Sequence, residues 1–533
     1  MKVSRRTFLT SAAACAVSRG VWAQAGARTT APSYFCTWTI QNSWAGDILA
    51  GRRGKETTLR PITPGPTGPR DTLDERTIFG PGGWASLYPE VRRDLLFMLD
   101  DGWDVGYGLD PWGGKGDMAA FGSHVLSAER FPSCRGTSAE RLRALNRRLI
   151  DCGWRGLGVW VACQCANDRG GALLSEAAVR EDLKRRLSES AEAGVNYWKV
   201  DWGRRDLDAG FRELISGLRA QYHPALKVEH KPLHYEPILP ADFAQKADCE
   251  FNRRVLGTND ILRTYDVFGI LKYVGTVLRT AVYSQLIDRL GSRSMLNVED
   301  AVYIGAVLGH AVGVMSFGND QAGLVRRTAR WQELAPAFGG DPAFRTQVSA
   351  LELADTHDFG PNFDYKPFPI PNNVATQRAP AVMARGLPLP DVRPVGESRP
   401  FVLAGRFPNG ALAVGAIPRL EKGRLVTPPV EVALDAALEA NGTPLGVFDA
   451  FKSVTVRVAL KPGEKVRVTA ADLSDGAEHD ITAHASFLNG RMTLDGDVLA
   501  RIGREGNRPG DSSAPAVRVT LHGGSPAPRI ASK

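Results

Sequence analysis

The run Tyr197-Trp198-Lys199-Val200-Asp201-Trp202-Gly203 closes a short apolar stretch with a cation and a carboxylate framed by aromatic residues. In an extended strand Val195, Tyr197, Lys199 and Asp201 share one face by the two-residue period, which sets an ammonium beside a carboxylate. A nearby positive charge favours the ionised carboxylate, the form that attacks as a nucleophile. Aromatic rings beside such an acid suit the C–H faces of a sugar. A buried structural ion pair would use the same residue types. The decision between the two falls to the elements that position the run.

From about residue 33 to 355, short apolar segments alternate with helical ones. The expected strands are Tyr34 to Ile40, Leu95 to Leu99, Gly156 to Ala162, Val195 to Val200, Ala225 to Val228, Ile261 to Thr264, Ser294 to Val298 and Val312 to Phe317. Eight such units in series predict a closed parallel (β/α)8 barrel, an α/β fold. Helical periodicity marks Ser138 to Asp151, Ser175 to Ala193, Ala209 to Gln221 and Asp300 to His310. The Gly-, Pro- and Arg-rich insertion from Gly46 to Gly83 is too long for an ordinary barrel loop and is expected on the rim of the site. The proline-rich passage 356–400 reads as a linker or strap. Beyond it, alternating segments over 401–525 predict an antiparallel β-sandwich, with a partly disordered tail after Ala500.

In a parallel barrel the chemistry sits at the carboxyl ends of the strands. Strand one is expected to end in Asn42-Ser43-Trp44, strand two in Asp100-Asp101-Gly102-Trp103, strand three at Trp160, and strand four at Lys199 and Asp201. Strand five ends in Glu229-His230-Lys231 and strand six in Arg263-Thr264-Tyr265-Asp266. The order Asn-Ser-Trp, Asp-Asp-Gly-Trp, Lys-x-Asp and Arg followed by Asp resembles the clan D retaining glycoside hydrolases, the α-galactosidase-like families 27 and 36, with this chain a divergent member. The late segment Met315-Ser316-Phe317-Gly318-Asn319-Asp320 resembles the close of their last helix–strand unit.

That resemblance implies roles. Asp201 would be the nucleophile and Asp266 the general acid/base. Asp100 and Asp101 would hold the hydroxyls at carbons four and six, Lys199 those at three and four, and Trp44 would stack on the ring. Arg263 and Glu229 would approach the hydroxyl at carbon two, with Trp160 at the mouth. On strand five Glu229-His230-Lys231-Pro232 replaces the family's Cys-Glu-Trp pattern, so either Glu229 or His230 faces the substrate. Arg263 precedes Asp266 by three residues where family 27 has four. The implied substrate is an oligosaccharide or glycoside with a terminal α-galactoside-like residue, cut without cofactor or metal.

Two other readings use the same strand-end acids. One is an enolase-like barrel with Mg²⁺ on Asp101, Asp201 and Glu229 and Lys199 as base. The other is a barrel that binds glycans without cleaving them.

Residues 1–25, with Ser4-Arg5-Arg6-Thr7-Phe8-Leu9 and Ala23-Gln24-Ala25, read as a twin-arginine export signal and its cleavage site, implying a periplasmic or secreted protein. The formal charge of +8 falls to +4 once the leader cations Lys2, Arg5, Arg6 and Arg19 are removed, too small and too dispersed for a nucleic-acid partner. No later run reaches the roughly 18 apolar residues of a membrane span. Six cysteines follow the leader, and an oxidising compartment would permit one or two disulfides. Composition leaves the oligomeric state open.

Overall fold

The computed structural model describes residues 31–52, 68–104, 122–165, 173–233, 242–264, 269–315, 321–361, 370–460, 465–474 and 476–523. The leader, Asp266, Asn319 and Asp320 lie outside them.

Eight parallel strands close into a barrel in sequence order: β1 (Tyr34–Cys36), β2 (Leu96–Leu99), β3 (Gly156–Val161), β4 (Tyr197–Val200), β5 (Lys227–His230), β6 (Ile261–Arg263), β7 (Met295–Glu299) and β8 (Ala311–Val314). Strands wrapped in helices tend to be apolar on both faces, as in Leu96–Leu99, which is buried at every position. The surrounding helices start where the chain supplies caps. Thr137 and Glu140 form a reciprocal capping box on Ser138–Asp151, and Asp208 caps Ala209–Tyr222 through the Phe211 amide. Gly194 ends Glu176–Ala193 in the left-handed conformation.

Strand one is shorter than its apolar run. After Cys36 the chain turns into the helix Trp38–Leu49, so Asn42, Ser43 and Trp44 ride on that helix and not at a strand end. The Thr37 hydroxyl explains the early turn: it accepts from the Asp100 amide at 2.9 Å and donates to Gln41 Oε1 at 2.6 Å, tying the helix start to the end of β2.

The passage expected as a linker is instead part of the second layer. Val382–Arg385 joins an eight-stranded sheet, and Asp391–Pro394 is an edge strand of a five-stranded one; Thr346–Val348, expected within the barrel, also joins the eight-stranded sheet. Pro394 lies in that edge strand and Pro380, Pro388 and Pro390 lie between strands, where a lost N–H is harmless. The two sheets enclose an apolar core containing Val402, Val414, Val447, Val456 and Val519. Most pairings are antiparallel, but Val382–Arg385 with Phe401–Arg406, Leu412–Ile417 with Asn441–Phe448, and Val430–Glu439 with Ser453–Ala459 run parallel. The tail is not loose up to Gly523: Ala516–Gly523 lies between Asn441–Phe448 and Val466–Asp472. All six described cysteines are free thiols. No helix among the described residues is long and apolar enough to cross a membrane.

Barrel and sandwich are joined by a buried bidentate pair. Arg327 donates from Nε and Nη2 to the two carboxylate oxygens of Asp472 at 3.0 and 2.8 Å. Arg327→Leu leaves Asp472 buried and unpaired, and urea unfolding should show a loss of about 3–5 kcal/mol. A loss below about 1 kcal/mol would mean that the two layers do not depend on this pair.

Candidate active site

Asp201 follows β4 with only 8% of its surface exposed. Its Oδ1 pairs with Arg263 Nη2 at 3.1 Å, and its Oδ2 accepts a hydrogen bond from Trp160 Nε1 at 3.0 Å. Burial alone would raise the carboxyl, but Arg263, Lys231, Lys199 and the Trp160 hydrogen bond outweigh it and hold Asp201 down at about 2. This is an ionised carboxylate with a fixed orientation. Trp160 is itself fully buried, and Trp202 packs edge-on against it with centroids 6.0 Å apart.

The partner of Asp201 differs from the one that strand periodicity suggests. Lys199 does favour the ionised form, but its ammonium reaches across the barrel to Asp100 Oδ2 at 2.9 Å and lies 3.6 Å from Glu299 Oε1. Burial opposes its charge, yet Asp100, Cys36 and Glu299 keep Lys199 well above the usual lysine range.

Arg263 is the hub of the barrel interior. Besides Asp201 it approaches Glu229 Oε1 at 3.7 Å and Glu299 Oε1 at 3.9 Å. Glu229 is wholly buried and accepts from Tyr197 Oη at 2.6 Å and Asn297 Nδ2 at 2.6 Å, with Tyr34 Oη 3.2 Å away. The Tyr34 hydroxyl is also 3.2 Å from Glu299 Oε1, so its single proton is shared between two acids. Burial first, then Glu229, raises both phenols well above the tyrosine range, keeping them donors.

The adjacent acids after β2 diverge. Asp100 turns inward, bonded to Lys199 and accepting from the Cys36 thiol at 3.0 Å. Asp101 contacts the Arg70 guanidinium, which is brought in by the described end of the long insertion and lies 5.7 Å from the Trp202 ring centroid. Burial pushes Asp101 up to about 7 against the pull of Arg70, with Asp100 and Asp104 adding to the rise. Gly102 and Gly203, just past the site acids, have φ of +114° and +156°. A Cβ at Gly102 would sit 3.0 Å from Arg70 Cβ, and one at Gly203 would sit 2.7 Å from the Cys163 carbonyl oxygen.

Of the residues expected in the site, Asp100, Trp160, Lys199, Asp201, Glu229 and Arg263 share the inner face of the barrel, and Asp101 stands beside it. Register explains the layer, since Trp160 pairs with Lys199, Lys199 with Glu229, and Arg263 with Asn297. Asp266 lies outside the described residues. His230 is corrected: it faces outward, where its Nδ1 is 3.1 Å from Arg212 Nη1, because its neighbour Glu229 takes the inward position. Glu229 is thereby the inward member of the pair, but it is bound by the barrel's own tyrosines and asparagine. Trp44, half-buried on the helix after β1, packs edge-on against buried Trp84 at 5.3 Å.

Sequence reasoning missed Arg70, Cys36, Asn297 and Glu299. Glu299 carried a signal, as it closes the seventh apolar run at the same strand-end position as the other acids. The three acids of the magnesium reading are not gathered either. Arg263 stands between Asp201 and Glu229, Arg70 holds Asp101, and no three His, Cys, Asp or Glu among the described residues form a metal-holding group.

A closed (β/α)8 barrel with a cation-clamped carboxylate at the carboxyl end of its fourth strand is the class that fold and site define. No protein-family model and no curated protein matches the chain. Among solved structures it is similar to a GH27 β-L-arabinopyranosidase from Geobacillus stearothermophilus, with 10% identity, a TM-score of 0.38, and 93% of this chain and 97% of that one covered. It is similar to α-galactosidase I from Mortierella vinacea, with 9% identity, a TM-score of 0.38 and 94% and 98% covered. A third is described as a putative α-N-acetylgalactosaminidase from Bacillus halodurans, with 10% identity, a TM-score of 0.37 and 85% and 96% covered.

Proposed function

We propose that the protein is an exported retaining glycoside hydrolase of the α-galactosidase-like clan, cleaving terminal α-galactoside-like residues by double displacement. The observation that carries this reading is the Arg263–Asp201–Trp160 arrangement, which keeps one carboxylate ionised and aimed at the end of β4. In the first step Asp201 attacks the anomeric carbon, and the bond to the leaving oxygen breaks as Asp266 delivers a proton to it. In the second, water deprotonated by Asp266 displaces Asp201 and releases the sugar with retained configuration. Such chemistry needs the two carboxyl groups about 5–5.5 Å apart. Asp100, Lys199 and Asp101 are the hydroxyl-binding groups in this reading. Each has a counter-ion in place, so a sugar hydroxyl would join an existing ion pair.

A 2-deoxy-2-fluoro glycosyl fluoride of the galacto series should label the enzyme once per chain. Digestion and mass spectrometry should then place the label on the peptide containing Asp201. Labelling elsewhere, or none with an enzyme that turns over aryl α-galactosides, would reject the assignment.

A further inference from the structure

A cavity of about 450 Å³ opens where the barrel meets the β-domain. From the barrel it is lined by Tyr273, Asp300 and Tyr303, and from the β-domain by Thr427, Asp449 and Arg504. Its volume falls within the roughly 300–1,000 Å³ of small-ligand pockets. Its position is specific. Asp300 directly follows Glu299 at the carboxyl end of β7, and the Glu299 carboxylate reaches Lys199 and Arg263, so one wall of the cleft is continuous in the chain with the candidate active site.

The lining is built for hydrogen bonding. Asp300 and Asp449 are both non-glycine residues in the left-handed region, with φ of +56° and +69°. Such backbone strain persists only where surrounding contacts hold it, and it concentrates at binding sites. Here the Met315 amide donates to Asp300 Oδ1 at 2.8 Å, while Thr427 Oγ1 donates to Asp449 Oδ2 at 2.9 Å and the Ala450 amide to its Oδ1 at 2.7 Å. Burial, then Asp449 and Asp300, pushes the Tyr273 phenol up to about 12, so it stays a donor. Two carboxyl groups against one guanidinium leave no positive excess to hold an anion. The Asp300 and Asp449 carboxyl oxygens as acceptors, and the phenol and ring of Tyr273, instead match a polyhydroxylated ring with apolar C–H faces, while the Tyr303 hydroxyl is given to the Ala514 carbonyl at 2.8 Å.

We propose that this cleft is a second saccharide site, taking a neutral pyranose unit of a glycan whose terminal residue occupies the barrel mouth. The inference rests on the glycosidase reading for its ligand class, and its test is separable from that reading. Calorimetric titration of full-length Asp201→Asn protein with methyl α-galactoside, a single sugar unit that cannot bridge the two positions, should give two sites per chain. Leu425, 47% exposed on the cleft wall, can be enlarged without disturbing the core. Leu425→Trp in the same background should leave one site, or weaken the second at least tenfold. Thr427→Val should weaken it in the same sense, and thermal melts should show that both variants are folded. An unchanged number of sites in the two variants, a single site in the parent protein, or binding of inorganic phosphate in place of sugar would overturn the proposal. Full turnover by Asp201→Asn would remove the proposed nucleophile, while the Leu425→Trp comparison would still judge the cleft.

Discussion

Asp201→Asn should lower kcat on an aryl α-galactoside by roughly 10⁴-fold or more, the scale seen when a member of a nucleophilic catalytic unit is removed. Asparagine keeps the shape of the side chain, and its oxygen can still accept from Trp160 Nε1. Arg263 also retains Glu229 and Glu299 as counter-charges, so the barrel should stay folded. The lost carboxylate nonetheless contributes to stability. Its pKa of about 2 lies below the usual aspartate value of 3.8, so its contribution is present above pH 3.8 and lost as pH falls through 2. At neutral pH this is worth about 2 kcal/mol. Chemical rescue separates a missing nucleophile from a damaged site. With Asp201→Gly and sodium azide, azide should attack the anomeric carbon as the aryloxide leaves with the bonding electrons. The expected product is a glycosyl azide of inverted configuration. Turnover within tenfold of the natural enzyme, or a variant that azide does not rescue although it still binds galactose, would count against Asp201.

Much of the barrel is legible because parallel strands wrapped in helices read as short, mostly apolar runs, and helix starts announce themselves through residues such as Thr137, Glu140 and Asp208. What escapes the sequence is set by distant partners. The helix Trp38–Leu49 has no side-chain N-cap bond and begins inside an apolar run, so the run reads as strand to Ile40. Prolines made residues 356–400 look like a linker, although edge positions and strand ends tolerate them.

The site shows the same division. Periodicity correctly puts Lys199 and Asp201 on one face, but only barrel closure shows that Lys199 answers Asp100 while Arg263 answers Asp201. Whether Glu229 or His230 turns inward depends on register with β4, where Glu229 stands opposite Lys199. Register between strands is not written in either strand alone. Arg70 is harder still, because a guanidinium inside a long Gly- and Pro-rich insertion gives no local sign that it will meet Asp101.

Arg263→Met should be the most damaging single change to the barrel interior. It removes the cation shared by Asp201, Glu229 and Glu299 while leaving three buried acids, and breaking such a buried arrangement costs about 3–5 kcal/mol. The pH dependence identifies the cause. Arg263 is the strongest of the charges that hold Asp201 at about 2, and without it burial, the larger opposing influence, should raise that carboxyl above 3.8. Its contribution then changes sign: a folded pKa above the unfolded one favours folding at low pH and is lost as pH rises. The stability deficit of the variant should therefore shrink between pH 7 and pH 4, as read by urea unfolding at both. Residual kcat/KM should show its acid limb displaced upward by a unit or more, because more of the nucleophile is protonated. Arg263→Lys restores a charge without the planar fork and should recover part of the stability and less of the rate. A deficit independent of pH, together with an unmoved acid limb, would mean that Arg263 only fills space beneath Asp201.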